Sequence, residues 1–285
     1  MSSISKVSDL NSLFDNIIDD SLSVLRADNL MVAGGLVTRK NARGFADRKI
    51  PKWNTATVTT KAEGDDYTGH TTFEKTEAAT ITPAVSMSGF ILTDEMIATE
   101  SEGDLQARAA NELGGAIASD VDVNIMELFA SFSTTKGTAN NALTLTHVAA
   151  AISVIQTNKA RGGINVVLHP YGWHDIWVQL GQPSANQALL GEIANEALRQ
   201  FNVARQLGAD WYSNPNVSID GNADASSAVL TLEAIVYDER EAFMMEPERD
   251  ASRKAWELNG SIGYGIGIQR QEAGVELLHD ATEPT

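Results

Sequence analysis

His169, His174 and Asp175 are the side chains whose types and spacing come nearest to a reactive group in this chain. Two imidazoles and a carboxylate could hold a transition metal and activate water, which would make the chain a metal-dependent hydrolase. The spacing argues against it. The two histidines stand five apart across a strand-to-helix junction. A zincin-like pair needs the i, i+4 spacing on one helix face, with a glutamate beside the first histidine. Capping and packing are the better reading for both, and for His70, His147 and His279.

Other patterns carry no stronger chemistry. The run 260–267 (GSIGYGIG) is rich in glycine. It lacks the Lys-Ser/Thr of a phosphate-binding loop and does not lead into a helix. Glycine alternating with Ile and Tyr fits a strand that bends or admits a second backbone. The carboxylates at Asp19–Asp20, at Asp65–Asp66 and in 246–250 have no calcium-loop spacing and read as solvated faces. No serine sits in a Gly-x-Ser-x-Gly turn. There is no cysteine, which excludes disulfides and thiolate metal sites. No cofactor is implied.

Composition narrows the class further. The chain has 285 residues, 43% of them hydrophobic, enough for one large or two modest cores. Its formal charge of −17 is a poor match for a phosphate backbone. Sequence-specific nucleic-acid binding is not expected. The N-terminus has no basic start leading into an apolar run, so it is no signal peptide. No window approaches the roughly 18 apolar residues of a membrane helix.

The elements that would position any of these residues are clearer than the residues themselves. Residues 4–30 carry Leu10, Leu13, Phe14, Ile17, Ile18, Leu22 and Leu25 at helical spacing, and Gly34–Gly35 ends the pattern. Residues 38–52 are locally basic. Residues 53–73 read as a β-hairpin turned at 63–66, with too few apolar side chains to stand alone in water. Residues 79–92 give a further strand, interrupted at Pro83. A long helix is expected over 100–132, with capping-box pairs at Thr99/Glu102 and Ser101/Asp104. Leu105, Ala109, Leu113, Ile117, Val121, Ile125, Leu128 and Phe132 form its apolar stripe. Its length would be roughly 45–50 Å, which suits a spine.

An α/β stretch follows. Thr146 is the expected cap of a helix that ends at Gly162–Gly163, 164–168 a buried strand, and His169–Pro170 the start of a second helix reaching Gly181. A third helix is expected over 186–207. Then come a strand pair over 211–219 turned at 214–216, a loop at 221–227, a strand at 229–237, and β structure over 254–270 and 275–278. The fold class is α+β.

This order of elements resembles the major capsid proteins of tailed phages, the Hong Kong 97-type fold. The resemblance rests on 90–96 (FILTDEM) leading into the spine, on 146–180 with VVLHPYGWHDIWVQLG at its centre, and on 255–270 with 273–278 as closing strands. It covers nearly the whole chain, through element order more than fixed motifs. It implies an N-terminal arm at 1–49 and an extended loop at 50–78. A peripheral domain would comprise 79–143 and 239–285, and an axial domain 144–238. It implies a subunit with no catalytic activity that assembles with itself into hexamers and pentamers of an icosahedral shell. That shell is built in the host cytoplasm and becomes the virion capsid around double-stranded DNA. Scaffolding, portal and decoration proteins are the further partners it suggests, scaffolding being either a separate protein or unneeded, and no membrane. An encapsulin-type nanocompartment shares the fold and is the alternative. The side chains expected at subunit interfaces are Leu13, Phe14 and Ile17 in the arm; Arg39, Lys40, Arg43, Arg48 and Lys49 in the basic stretch; and Trp53, Tyr67 and Phe73 in the hairpin.

Overall fold

A computed structural model describes residues 17, 20–21, 29–53, 56–72, 74–99, 102–181 and 205–284. Two sheets and a spine helix make up most of it. The first sheet has four strands in the order β1-β10-β11-β4. These are β1 (Thr38–Asn41), β10 (Ile235–Asp250), β11 (Ala255–Ile268) and β4 (Ala84–Thr93). β10 and β11 form a long antiparallel hairpin, β4 adds antiparallel to β11, and β1 runs parallel to β10. The glycine-rich run is therefore strand, as its pattern implied. A Cβ on Gly265 would stand 2.5 Å from Ile81 and 3.2 Å from Pro83, so that glycine lets a neighbouring chain segment cross closely.

The second sheet has six strands in the order β5-β12-β9-β6-β8-β7. They are β5 (Thr135–Gly137), β12 (Gly274–Asp280), β9 (Asp224–Thr231), β6 (Ile164–Leu168), β8 (Ala209–Ser213) and β7 (Arg205–Gln206). β6 is buried along nearly its whole length, which explains its unbroken apolar run. A separate antiparallel ribbon joins β2 (Arg48–Trp53) to β3 (Lys75–Ile81).

Besides the helical residues Ile17, Asp20 and Ser21, the strands are accompanied by α1 (Leu30–Ala33), α2 (Asp94–Thr99), α3 (Glu102–Glu127), α4 (Leu145–Thr157) and α5 (Pro170–Gly181). α3 is the spine. Its Ala109 and Leu113 pack with Leu92, Met245 and Leu258 of the first sheet. Farther along, Ile117, Val121 and Ile125 meet Tyr237, Ile262 and Tyr264, and this cluster continues to Ala228 and Leu230 of the second sheet. One helix thus contributes to the cores of both sheets. α4 buries Val148, Ala151, Ile152 and Ile155 against Val166, Leu168, Val229 and Leu277.

Several expectations need correction. The spine is 26 residues, about 39 Å. Its last turn tightens into a 3-10 segment at Leu128–Ser131, where shorter bonds satisfy end carbonyls. The cap of α4 is Thr144, whose hydroxyl accepts from His147 N at 3.3 Å, and not Thr146. The loop at 221–227 contracts to 220–223 because the Asp220 carboxylate accepts from the backbone N–H of both Asn222 and Asp224. The strand expected over 229–237 is two strands, parted where Ala234 N donates to Thr231 O. The pair expected over 211–219 ends at Ser213, since β8 pairs with β6 and β7 instead. Most of the helices expected over 4–30 and 186–207 lies outside the described residues. At 205–207 stand the two residues of β7 and a turn, not helix.

The hairpin is corrected most. β2 and β3 form a ladder only at the base of the excursion, and the described residues between them, 56–72, form no strand. Almost all of their side chains are exposed, so nothing on one face of the segment stabilises a ladder. No helix among the described residues is long and apolar enough to cross a membrane.

Candidate assembly surfaces

The basic stretch is held to the first sheet by charge. β1 lies against β10 so that Arg39 stands opposite Tyr237, and its guanidinium pairs with Glu239 one strand away. The Asp238 carboxylate is fully buried and takes Arg240 at 2.8 Å and Arg48 at 2.9 Å. Arg240 also donates to Gly44 O, closing the loop between β1 and β2. Lys52 pairs with Glu272, which holds that carboxyl below its usual pKa. Burial next to Glu239 pushes the Tyr237 phenol well above its ordinary value. Arg39 and Arg48 are thus engaged within the chain, Lys49 is a strand residue facing solvent, and Arg43 is exposed in a turn. Lys40 is half-buried in β1.

A second anchor sits on the spine. Asp122 is buried, accepts from Leu30 N at 2.9 Å and Met31 N at 3.0 Å, and takes Asn214 Nδ2 at 3.3 Å. Burial raises its pKa despite these donors. It ties the first turn of α1 to the spine. Ile17 is fully buried in the chain's own core, with Leu92, Leu113 and Met245. Leu13 and Phe14 lie outside the described residues. Sequence reasoning missed Asp122, Asp238 and Arg240. A signal existed for Asp122, a carboxylate on the buried stripe between Val121 and Ile125, and such a group needs partners.

The ribbon carries the excursion 56–72 away from the sheets. Trp53 ends β2 opposite Lys75. Tyr67 is exposed, donates its hydroxyl to Gly69 O and meets His70 edge to face. Phe73 lies outside the described residues. Thr57 and Thr71 touch through their hydroxyls at 2.9 Å and draw the two limbs together. Val58 is 97% exposed, an extreme value for an apolar side chain.

The residues proposed for metal chemistry do not gather. His169 is buried and its Nδ1 accepts from Tyr171 N. Asp175 is occupied by Leu143 N. His174 is exposed, with its nearest approach to Asp175 at 4.0 Å. Among the described residues no three His, Asp or Glu side chains are placed to hold an ion.

A different pair has the geometry of a nucleophile and its base. Ser227 Oγ lies 3.0 Å from His279 Nε2. Both are fully buried. Ser227 Oγ already accepts from His169 N, and the other His279 nitrogen faces Asp280 O, a backbone carbonyl. With one ring nitrogen donating and the other accepting, this is a satisfied structural network.

Burial lowers the pKa of both His169 and His279. The folded state therefore prefers them neutral. Their contribution is fully present above the unfolded value near 6.5 and is lost as pH falls below it toward the folded values. The expected result is a free energy of unfolding, read by denaturant titration, that drops on going from pH 7.5 to 5.5 by at most about 1.4 kcal/mol per pH unit for each group. His279→Asn, whose starting stability is lower, should show a shallower slope. An unchanged slope would remove His279 from the explanation.

Comparison with known proteins agrees with this architecture. A sequence profile of the phage capsid protein family matches residues 88–277. No curated protein matches the sequence. The fold is similar to the capsid of cyanophage P-SCSP1u, with 16% identity, a TM-score of 0.65 and 87% of each chain covered. It is similar to the head of Helicobacter pylori bacteriophage KHP40, with 9% identity, a TM-score of 0.65, and 85% of this chain and 88% of that one covered. It is also similar to the SrpI encapsulin of Synechococcus elongatus PCC 7942, with 9% identity, a TM-score of 0.61 and 88% of each covered. The α+β fold with its spine helix is the Hong Kong 97-type fold, and with two thirds of its length in the matched region the chain belongs to the phage capsid protein family, as a structural subunit of a virion shell.

Proposed function

We propose that this chain is the major capsid protein of a tailed bacteriophage, closing through hexamers and pentamers into an icosahedral shell around double-stranded DNA. The observation that carries the reading is the family match over 88–277. The excursion 56–72 supports it, because its exposed side chains find little support within their own chain. Residues 1–49 serve as the N-terminal arm, 50–78 as the extended loop, 79–143 with 239–285 as the peripheral domain and 144–238 as the axial domain. Arm and loop clasp neighbouring subunits, and many weak contacts sum through multivalency. The net charge of −17 suits a wall that encloses DNA without gripping it. Assembly takes place in the host cytoplasm, with scaffolding, portal and decoration proteins as further partners. The subunit performs no catalysis.

An encapsulin-type compartment is the second reading, favoured by the likeness to the SrpI encapsulin. Electron microscopy of the purified chain, expressed alone and with its neighbouring genes, tests the proposal. Closed shells, or rings of five and six subunits, are expected. A uniform monomer or dimer in both preparations would end it. Shells filled with a host or cargo enzyme would favour the encapsulin.

A further inference from the structure

β4 is an edge strand without the usual protection. It closes one side of the four-stranded sheet, with β11 as its partner and no strand beyond it among the described residues. Its ten residues, AVSMSGFILT, include no charge and no proline. Soluble proteins normally guard such an edge with lysine, proline, a bulge or a covering loop, because alternate backbone groups face outward unpaired. Along its solvent face Val85 is 47%, Met87 68% and Ile91 51% exposed. On the same face Met87 and Met244 flank Ser261 across the sheet. Phe45 lies on the same face, over Gly263.

The excursion has the complementary deficiency. Residues 56–61 (ATVTTK) are β-branched in four of six positions, a composition that favours strands. Among the described residues they make no backbone–backbone hydrogen bond. Val58 is the segment's one large apolar side chain, and it is almost wholly exposed. Lys61 is its only charge, and the acidic residues Glu63, Asp65 and Asp66 are confined to the turn. Beside the open edge, β11 presents Glu257 opposite Ile91, with its carboxylate already paired to Arg253, so the match between edge and excursion rests on backbone groups and apolar side chains and not on charge.

We propose that residues 56–61 of one copy add as a fifth strand to the β4 edge of a neighbouring copy, with Val58 joining the Val85–Met87–Ile91 row. This rests on the shell reading above and specifies one of its contacts. Strand addition would supply backbone bonds to both partners, and the side-chain row would set the register.

The absence of cysteine allows a direct test. Val58→Cys is combined in turn with Val85→Cys, Met87→Cys and Ile91→Cys, and, as a control, with Leu232→Cys at a distant exposed site. Shells identified by microscopy are mildly oxidised and run on a non-reducing gel. At least one β4 pair should give a ladder of dimers and higher species, and the control should not. Intact shells with no ladder from any β4 pair, with an equal ladder from the control, or with a cross-link confined within one chain would overturn the proposal. If the unsubstituted chain forms no shells under any condition, the shell reading fails and takes this proposal with it. Hydrogen exchange on the unsubstituted chain gives an independent reading. Amides in 84–93 and 56–61 should exchange roughly tenfold or more slowly in shells than in free subunits. Equal rates would count against strand addition.

Discussion

Removing residues 58–70 and joining Thr57 to Thr71 through an Asn-Gly turn should abolish closed shells while leaving the subunit as stable as before. The two threonines already touch at 2.9 Å, so a two-residue turn can bridge them without disturbing the ribbon below. Nearly every side chain in the deleted segment is exposed, and the apolar one, Val58, buries almost nothing. Surface changes of this kind typically alter stability by about 0.5 kcal/mol or less. Thermal unfolding of the purified subunit should therefore be unchanged. Assembly is another matter. A segment with no role in its own fold earns its place only through contacts outside it, and a shell joined by many weak interfaces loses them all at once. Sedimentation and electron microscopy would read the outcome. Shells at normal yield from the shortened chain would show that the excursion is dispensable. A large fall in unfolding temperature would show that it braces its own subunit.

How much of this was legible in the sequence depended on whether the signal was local. The spine was readable because Leu113, Ile117, Val121 and Ile125 recur at helical spacing, a pattern that only burial on one face maintains. β6 was readable from an unbroken apolar run, and α5 from a proline at its first turn. The paths of β8, β9 and β10 were not, because partner choice is decided by residues far apart in sequence. β8 looked like half of a local pair until β6, more than forty residues earlier, claimed it. The excursion was misread for a related reason. Alternating Thr and Val report a readiness to form a strand, but a ladder also needs a surface behind it. Only its base, where Ile50 and Ile81 pack with Val236, has one. The candidate surfaces divided in the same way. The basic stretch was visible as composition, but Arg39 and Arg48 are engaged by carboxylates roughly two hundred positions away, and no spacing rule links such residues.

Asp238→Ala should cost about 3–5 kcal/mol of folding stability and detach the segment that carries the excursion. The carboxylate is fully buried between two guanidinium groups, and the Arg240 side chain is only 4% exposed. Removing the anion leaves Arg240 charged, enclosed and short of an acceptor, a condition more costly than never having built the pair. Arg48 is about one third exposed, so water can take over its charge, and Arg48→Ala should cost about 1 kcal/mol or less. The asymmetry is itself testable. The double variant Asp238→Ala with Arg240→Met removes both buried charges and keeps an apolar stem in place, so it should recover a substantial part of the loss. Denaturant titration of the parent chain, Asp238→Ala, Arg240→Met and the double variant supplies the cycle. The consequence for assembly follows from connectivity. Asp238 stands on β10, and its two partners fix Arg48 at the start of β2 and, through Gly44 O, the turn before it. With the carboxylate gone, the base of the ribbon loses its fixed direction, and the excursion no longer meets its neighbour at a defined place. Shell formation should fall even at temperatures where the variant remains folded. A loss below about 1 kcal/mol for Asp238→Ala would mean that water reaches this pair, and that the hydrogen-bonded ladder of β1 and β10, rather than the buried charge, sets where the excursion points.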